Sequence, residues 1–139
     1  MILLDTNVVS ELMRPEPDPV VFAWLAAQPA SQVFLSVIAE AELRYGAAIL
    51  PPGRRRDRLR AQIEDMLQTD FGDRILPFDR NAARAYAAIG AIRRSSGDPI
   101  GNADCQMAAI ARCAGASIAT RNVKHFRNCG VPIINPWAA

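Results

Sequence analysis

Apolar residues along this chain fall into short bursts that stop on polar residues, and between the bursts lie longer stretches with helical spacing. The first burst, Ile2-Leu3-Leu4, runs straight into Asp5-Thr6-Asn7 and reads as a buried strand over 2–4. Asn7 is placed to cap a helix through VVSELM, and PEPDP at 15–19 breaks the chain before a short helix around VVFAWLAA. VFLS (33–36) is a second strand, followed by a helix over 37–50 that PPG (51–53) stops. A polar helix over about 54–69 comes next, then a strand in RILPF (74–78). Two helices follow, an Ala-rich one over 79–97 ending at Gly97 and one over 100–115 closed by Gly115. SIAT (117–120) is a fourth strand, NVKHF a helical turn, and VPII (131–134) a fifth strand.

Short apolar strands alternating with helices predict an α/β fold with a mostly parallel sheet of about five strands, covered on both faces. The length of 139 residues suits one domain over 1–139 with a single core. In open parallel sheets, sites form beyond the carboxyl ends of the strands. Those positions here are Asp5-Thr6-Asn7, Ser36, Asp79, Thr120-Arg121-Asn122 and Asn135, all polar. A carboxylate at a strand end, such as Asp5, is either an ordinary cap or the floor of a metal site.

Two helices carry acids on apolar faces. Glu42 shares its stripe with Ile38, Tyr45 and Ile49, which predicts an inward-facing carboxylate. Glu40 lies about 200° around the same helix and is placed to pair with Arg44 at i+4. Asp104 shares its stripe with Ile100, Met107, Ala108 and Ala111. A buried carboxylate costs several kcal/mol unless it is paired or bound to a cation. Salt bridges to arginine would explain any one of these acids. Three converging carboxylates with no histidine or cysteine partner suit a hard cation, Mg²⁺ or Mn²⁺, of the kind that serves phosphate chemistry.

Composition changes the picture only at the edges. Half of the residues are hydrophobic and 22% are charged, a globular balance. No apolar run approaches bilayer length, and Asp5 interrupts the place where a secretory leader would be apolar, so a cytoplasmic protein is expected. Cys105, Cys113 and Cys129 fit no zinc spacing and read as reduced, mostly buried thiols. The lone histidine, His125, reads as a surface residue of the last short helical turn. Net charge is +2, but GRRRDRLR (53–60) gathers Arg54, Arg55, Arg56, Arg58 and Arg60. That cluster is either a solvated helix start or a patch for phosphates or an acidic partner.

With Asp5, Glu42 and Asp104 singled out, the chain resembles the PIN-domain nucleases, in particular the VapC toxins and their FitB-like subgroup. The resemblance runs through ILLDTNVVSEL, LSVIAEAELRYG, RILPFD, IGNADCQMAAIA, IATRNVKHF and INPW, nearly the whole chain. It implies a three-layer α/β/α fold and a Mg²⁺- or Mn²⁺-dependent ribonuclease that leaves a 5′-phosphate and a 3′-hydroxyl. It implies that the chain is the toxin of a bacterial type II toxin–antitoxin pair. A homodimer held inactive by an antitoxin follows from it too, within a larger assembly that meets DNA only through the antitoxin. Asp5, Glu42 and Asp104 match the family's invariant acids. Thr6 and Asn7 match its DTN signature, and Ser36 and Thr120 its polar strand ends. Where the FitB-like pattern often has a fourth acid, this chain has Asn122, which supplies no charge and which also fits a helix cap. Arg121 and the cluster Arg54, Arg55 and Arg56 are candidates for RNA backbone contacts.

Two other readings are open to the same strand end. Haloacid-dehalogenase-type phosphatases also begin with a strand ending on Asp, but they need a second Asp where this chain has Asn7. A low-activity, nuclease-like fold acting mainly inside an antitoxin–DNA regulatory complex is the non-enzymatic rival.

Overall fold

The computed structural model describes residues 1–139. The strands are β1 (Ile2–Leu4), β2 (Val33–Ser36), β3 (Ile75–Leu76), β4 (Ser117–Ala119) and β5 (Ile133–Ile134). They form one five-stranded sheet in the order β3-β2-β1-β4-β5, and every pairing is parallel. The expected α/β architecture is present, and the sheet is parallel throughout. Six helices complete it: α1 (Thr6–Leu12), α2 (Pro19–Ala26), α3 (Val37–Ala48), α4 (Arg54–Asp65), α5 (Arg80–Ser95) and α6 (Asn102–Ala114).

Strand order decides where a site can form. From β1 the chain steps outward on one side through β2 and β3, then returns to the other side of β1 with β4 and β5. The direction therefore switches between β1 and β4, where the segments leaving the two strand ends diverge and open a crevice. Asp5 follows β1 and Thr120 follows β4, so the two flank that crevice.

The core joins both helical layers to the sheet. Leu3, Leu4, Leu35, Ile118 and Ala119 supply the strands, and Val8, Val9, Leu43, Ile63, Ile89 and Ile110 supply the helices. In α6 a run of small residues, Ala108, Ala109 and Ala111, is fully buried and brings this helix close to the sheet. Helices α5 and α6 pack against each other, with Cys105 Sγ 3.5 Å from the Tyr86 carbonyl.

Several boundaries differ from expectation, each for a local reason. Helix α1 begins at Thr6 because Asp5, not Asn7, is its cap: an Asp5 carboxylate oxygen accepts the Thr6 amide at 2.7 Å. Helix α2 starts one residue early, with Asp18 as cap and Pro19 in its first turn. The polar helix ends at Asp65 and continues as a wider, π-type turn over Met66–Phe71, closed by Gly72 at φ +56°. β3 and β5 keep only two residues each. Gly115 closes α6 in the left-handed conformation, as its position predicts.

The largest correction concerns α3. Its buried stripe is Ala39, Leu43 and Ala47, not the stripe of Glu42. Tyr45 is 68% exposed and Ile49 63%, so Glu42 sits on an outward face at the mouth of the crevice. Tyr45 and Ile49 marked the wrong face, because α3 packs inward through Leu43 flanked by the small Ala39 and Ala47. Glu40 and Arg44 do pair, at 2.9 Å.

Candidate functional site

The crevice is built upward from Asp5. Its backbone amide is bonded to Ala119 O of β4 at 2.9 Å, so the residue is anchored to the neighbouring strand before its side chain is considered. The side chain is 5% exposed. One carboxylate oxygen caps α1; the other accepts the Thr120 hydroxyl at 2.7 Å and the Asn7 amide at 3.2 Å. Asp5 is thus both the cap and a member of the acidic group.

Thr120 is fully buried and its hydroxyl is completely used. It donates to Asp5 and accepts from the Asn122 backbone amide at 3.0 Å and, more weakly, from Asn7 Nδ2 at 3.4 Å. The Asn7 side-chain oxygen Oδ1 accepts from Arg121 N at 3.4 Å. Asn7 therefore ties the end of β1 to the end of β4. Such a fully satisfied buried network holds its members in one arrangement.

Thr6 faces the other way and donates its hydroxyl to Glu42 at 2.7 Å, drawing the α3 carboxylate to the start of α1. Asp104 enters from the first turn of α6, half-buried, with its carboxylate 3.1 Å from His125 Nδ1. Ionised groups raise one another here. Burial, and secondarily the negative charge of Asp104, push the Asp5 carboxyl above its ordinary value, opposed by its hydrogen bonds. Burial also pushes Asp104 up, His125 pulls it down, and Glu42 pushes it up again. Asp5 feels the negative charge of Asp104, and Asp104 that of Glu42, while no lysine or arginine is ion-paired with any of the three.

The donor set fits a hard divalent cation. It offers carboxylate oxygens that are desolvated and mutually repelling, a strain that a positive ion removes. No three His, Cys, Asp or Glu side chains converge as a ready-made cage. A cation here would be held by one or two carboxylates, with water and phosphate in its remaining positions.

The remaining sequence candidates are placed as follows. Ser36 is buried and caps α3, accepting the Ala39 amide at 3.0 Å; its hydroxyl makes no bond to the acids. Asn122 is exposed and makes no side-chain cap bond to the turn Val123–Phe126, contrary to the expected cap; its carbonyl accepts His125 N instead. Arg121 lies over the Trp137 ring, 5.0 Å from its centroid. In the arginine cluster, Arg55 lines a groove shared with Thr6, Ser10 and Glu42. Arg54 is exposed, and Arg56 is half-buried with its nearest acid, Asp57, 3.9 Å away. Cys105 and Cys129 are buried and Cys113 is exposed; all three are free thiols.

Two residues escaped the sequence reading. His125 is 55% exposed, as expected of a surface residue, but it is the direct partner of Asp104. Arg93 is 2% exposed and holds the segment that carries His125. Its guanidinium donates to the carbonyls of Asp98 (2.7 Å), His125 (2.8 Å) and Arg127 (2.8 Å), and pairs with Asp98. Arg93 lies on the stripe of Ala82, Tyr86 and Ile89, so the reasoning that marked acids on apolar faces would have found it had it been applied to cations.

The PIN domain family model matches residues 2–131. The chain belongs to the PIN-domain family. Among curated relatives, it is 45% identical to VapC ribonuclease Y4jK of Sinorhizobium fredii, across 99% of this chain and 98% of the relative. It is 42% identical to Toxin FitB of Neisseria gonorrhoeae, across 99% of each. The crystal structure of FitAcB from Neisseria gonorrhoeae superposes with a TM-score of 0.94 at 41% identity, covering all of both chains. These likenesses place this PIN domain in the VapC/FitB toxin–antitoxin group.

A second concavity lies between α1, α2 and the end of α4. It measures about 610 Å³ and is lined mainly by apolar side chains, among them Val9, Leu12, Met13, Phe22, Leu25 and Phe71. Phe22 is 59% exposed at its rim, while Asp65, Asp70 and Arg74 supply its polar edge. No helix is long and apolar enough to cross a membrane.

Proposed function

We propose that this PIN domain is a Mg²⁺- or Mn²⁺-dependent ribonuclease, the toxin of a type II toxin–antitoxin pair, that cuts RNA phosphodiester bonds in the cytoplasm. The observation that carries the reading is the buried Asp5 carboxylate at the β1/β4 switch point, with the Asp104 charge near enough to disfavour its ionisation and Glu42 near enough to do the same to Asp104. The names of the relatives, a ribonuclease and a toxin, support it.

Asp5 and Asp104 would hold the cation, and Glu42 would complete the set directly or through water. When bound, the cation supplies Lewis-acid stabilisation of charge on the phosphate and activation of water. The chain's own residues set the geometry. Thr120, Asn7 and the Thr6 amide fix both oxygens of Asp5, so the carboxylate needs no reordering when RNA arrives. Thr6 orients Glu42, which orients the attacking water from the solvent side of the crevice. Asn122 lies beside the network through its backbone amide and offers a neutral side-chain donor and acceptor to the substrate. Arg55, which lines the same groove as Glu42, and Arg121 are suited to the RNA backbone, with Arg54 and Arg56 extending that contact. Cleavage leaves a 5′-phosphate and a 3′-hydroxyl.

The antitoxin is the expected regulator, and the apolar groove beside α1 and α2 gives an amphipathic segment a place to dock. A homodimer completes this reading, with exposed Tyr45, Ile49 and Ile92 available as apolar surface. Contact with DNA would come only through the antitoxin. The test is expression of the chain alone in a bacterial host. Growth should stop, discrete new RNA ends bearing 5′-phosphates should accumulate, and Asp104→Ala should abolish both effects. Unimpeded growth with folded protein present and RNA intact would contradict the reading.

A further inference from the structure

His125 is the side chain in direct contact with Asp104, yet RNA cleavage by the carboxylates alone assigns it no part. We propose that His125 is a nitrogen ligand of the cation held by Asp104, and that it biases the site away from Mg²⁺ toward Mn²⁺ and the later first-row ions. This rests on the metal-dependent reading of the site and deepens it.

Geometry is the first support. His125 Nδ1 stands 3.1 Å from Asp104 Oδ2. Two ligands at right angles on an octahedral ion, with bonds of about 2.1 Å, are separated by about 3 Å. The pair is thus already spaced as adjacent ligands, and a cation would take the place of the Nδ1 proton between them.

Anchoring is the second. A ligand must be held in place by its surroundings. His125 lies in the turn Val123–Phe126, whose last residue is 1% exposed and locked into the core. The His125 carbonyl and the Arg127 carbonyl, two residues on, are both held at 2.8 Å by the buried Arg93 guanidinium. The backbone is pinned on both sides of the imidazole, while the ring is 55% exposed and reachable by an ion from the crevice.

Donor chemistry is the third. Carboxylate, carbonyl and water suit Mg²⁺, whereas imidazole suits transition ions. Asp5 and Glu42 supply oxygen only. Exchanging one oxygen position for an imidazole nitrogen costs affinity for Mg²⁺ and adds affinity for Mn²⁺.

His125 is the chain's sole histidine, so protein freed of any histidine tag gives an unambiguous experiment. Mn²⁺ alone is added to the purified chain, and pulsed electron paramagnetic resonance is used to look for coupling to a directly bound nitrogen. The expected result is nitrogen coupling that changes character when histidine is labelled with ¹⁵N and vanishes in His125→Ala. Mn²⁺ affinity should fall about tenfold in that variant, on the scale of losing an outer support or more, while Mg²⁺ affinity changes less than twofold. Bound Mn²⁺ with no nitrogen coupling, or equal loss of both ions in His125→Ala, overturns the ligand role and leaves the carboxylate site standing. Absence of Mn²⁺ binding by the folded wild-type chain overturns both readings. Circular dichroism of each variant confirms folding, which the exposure of the ring favours.

Discussion

The Thr120 hydroxyl and the Asp5 carboxylate, separated by 115 positions in sequence, meet at 2.7 Å where β4 and β1 end side by side. That bond joins the two halves of the PIN domain at the point where strand order reverses. It also leaves Asp5 without rotational freedom. Thr120→Val keeps the shape and deletes the hydroxyl, so a buried carboxylate oxygen and the Asn122 amide lose their partner. Unfolding free energy in urea should fall by about 1–3 kcal/mol, the cost of a buried polar group left unpaired. An unchanged midpoint would show that the network is dispensable.

Crowded carboxylates make a sign-specific pH prediction. Asp104 titrates above its unfolded value of 3.8 in the native chain. Between those two values the unfolded state has already released its proton, so stability falls as pH rises through that window and then levels off. Asp104→Asn removes that loss. Without metal, the variant should gain on the wild type as pH climbs from 3.8 and keep a constant advantage at neutral pH, read by urea unfolding across the series. An advantage that shrinks with rising pH would contradict the raised carboxyl.

A cation should reverse that disadvantage. At a hundred times its dissociation constant, an ion that binds only the folded state adds about 2.7 kcal/mol. For a chain of this size that is a rise in Tm on the order of 9 °C. Wild type should show the shift with Mg²⁺ or Mn²⁺, and Asp5→Asn should not. Equal shifts in both proteins would mean that the ion binds elsewhere.

Arg93 is expected to matter more for folding than its distance from any substrate suggests. Arg93→Met leaves the carbonyls of Asp98, His125 and Arg127 without their donor. The loss should be on the order of 3 kcal/mol, the scale for breaking a buried charged network. Hydrogen exchange should then speed up across 123–129 before the rest of the chain. Uniform exchange rates in that segment would show that Arg93 is not its clamp.

Arg55 offers a test of the RNA-facing side. If its guanidinium neutralises one phosphate, Arg55→Gln should weaken binding of a non-cleaved RNA by a similar factor for every sequence. The slope of log affinity against log salt should fall by about 0.7–0.9. An unaltered slope would remove Arg55 from the contact surface.

Much of this was legible in the sequence because local rules and the fold agree. Alternating bursts and helical stretches gave the parallel sheet. Gly115 marked the end of α6, and the polar residues after β1 and β4 marked the crevice. What failed was the face of α3: hydrophobic size pointed to Tyr45 and Ile49, but close helix packing chose Ala39, Leu43 and Ala47. Glu42 is therefore at the site's mouth, not in its floor. Asp5 could not be decided as cap or acidic-site residue from its neighbours, since it does the first and lies within the second. The apolar stripe of α5 marks Arg93 as buried but not what it holds, and the contacts of Arg93 with the His125 carbonyl and of His125 with Asp104 join segments far apart in sequence, which no local pattern encodes.

The central claim, that Asp5, Glu42 and Asp104 make a cation-dependent centre for RNA hydrolysis, is tested most directly by RNA cleavage with the purified chain. Total RNA should be cut at discrete positions with Mg²⁺ or Mn²⁺, left intact with EDTA, and cut again when excess metal is restored. Asp5→Asn should lose activity by at least a hundredfold, about 2.7 kcal/mol of transition-state stabilisation. Full cleavage in EDTA, or wild-type rates from Asp5→Asn, would contradict it.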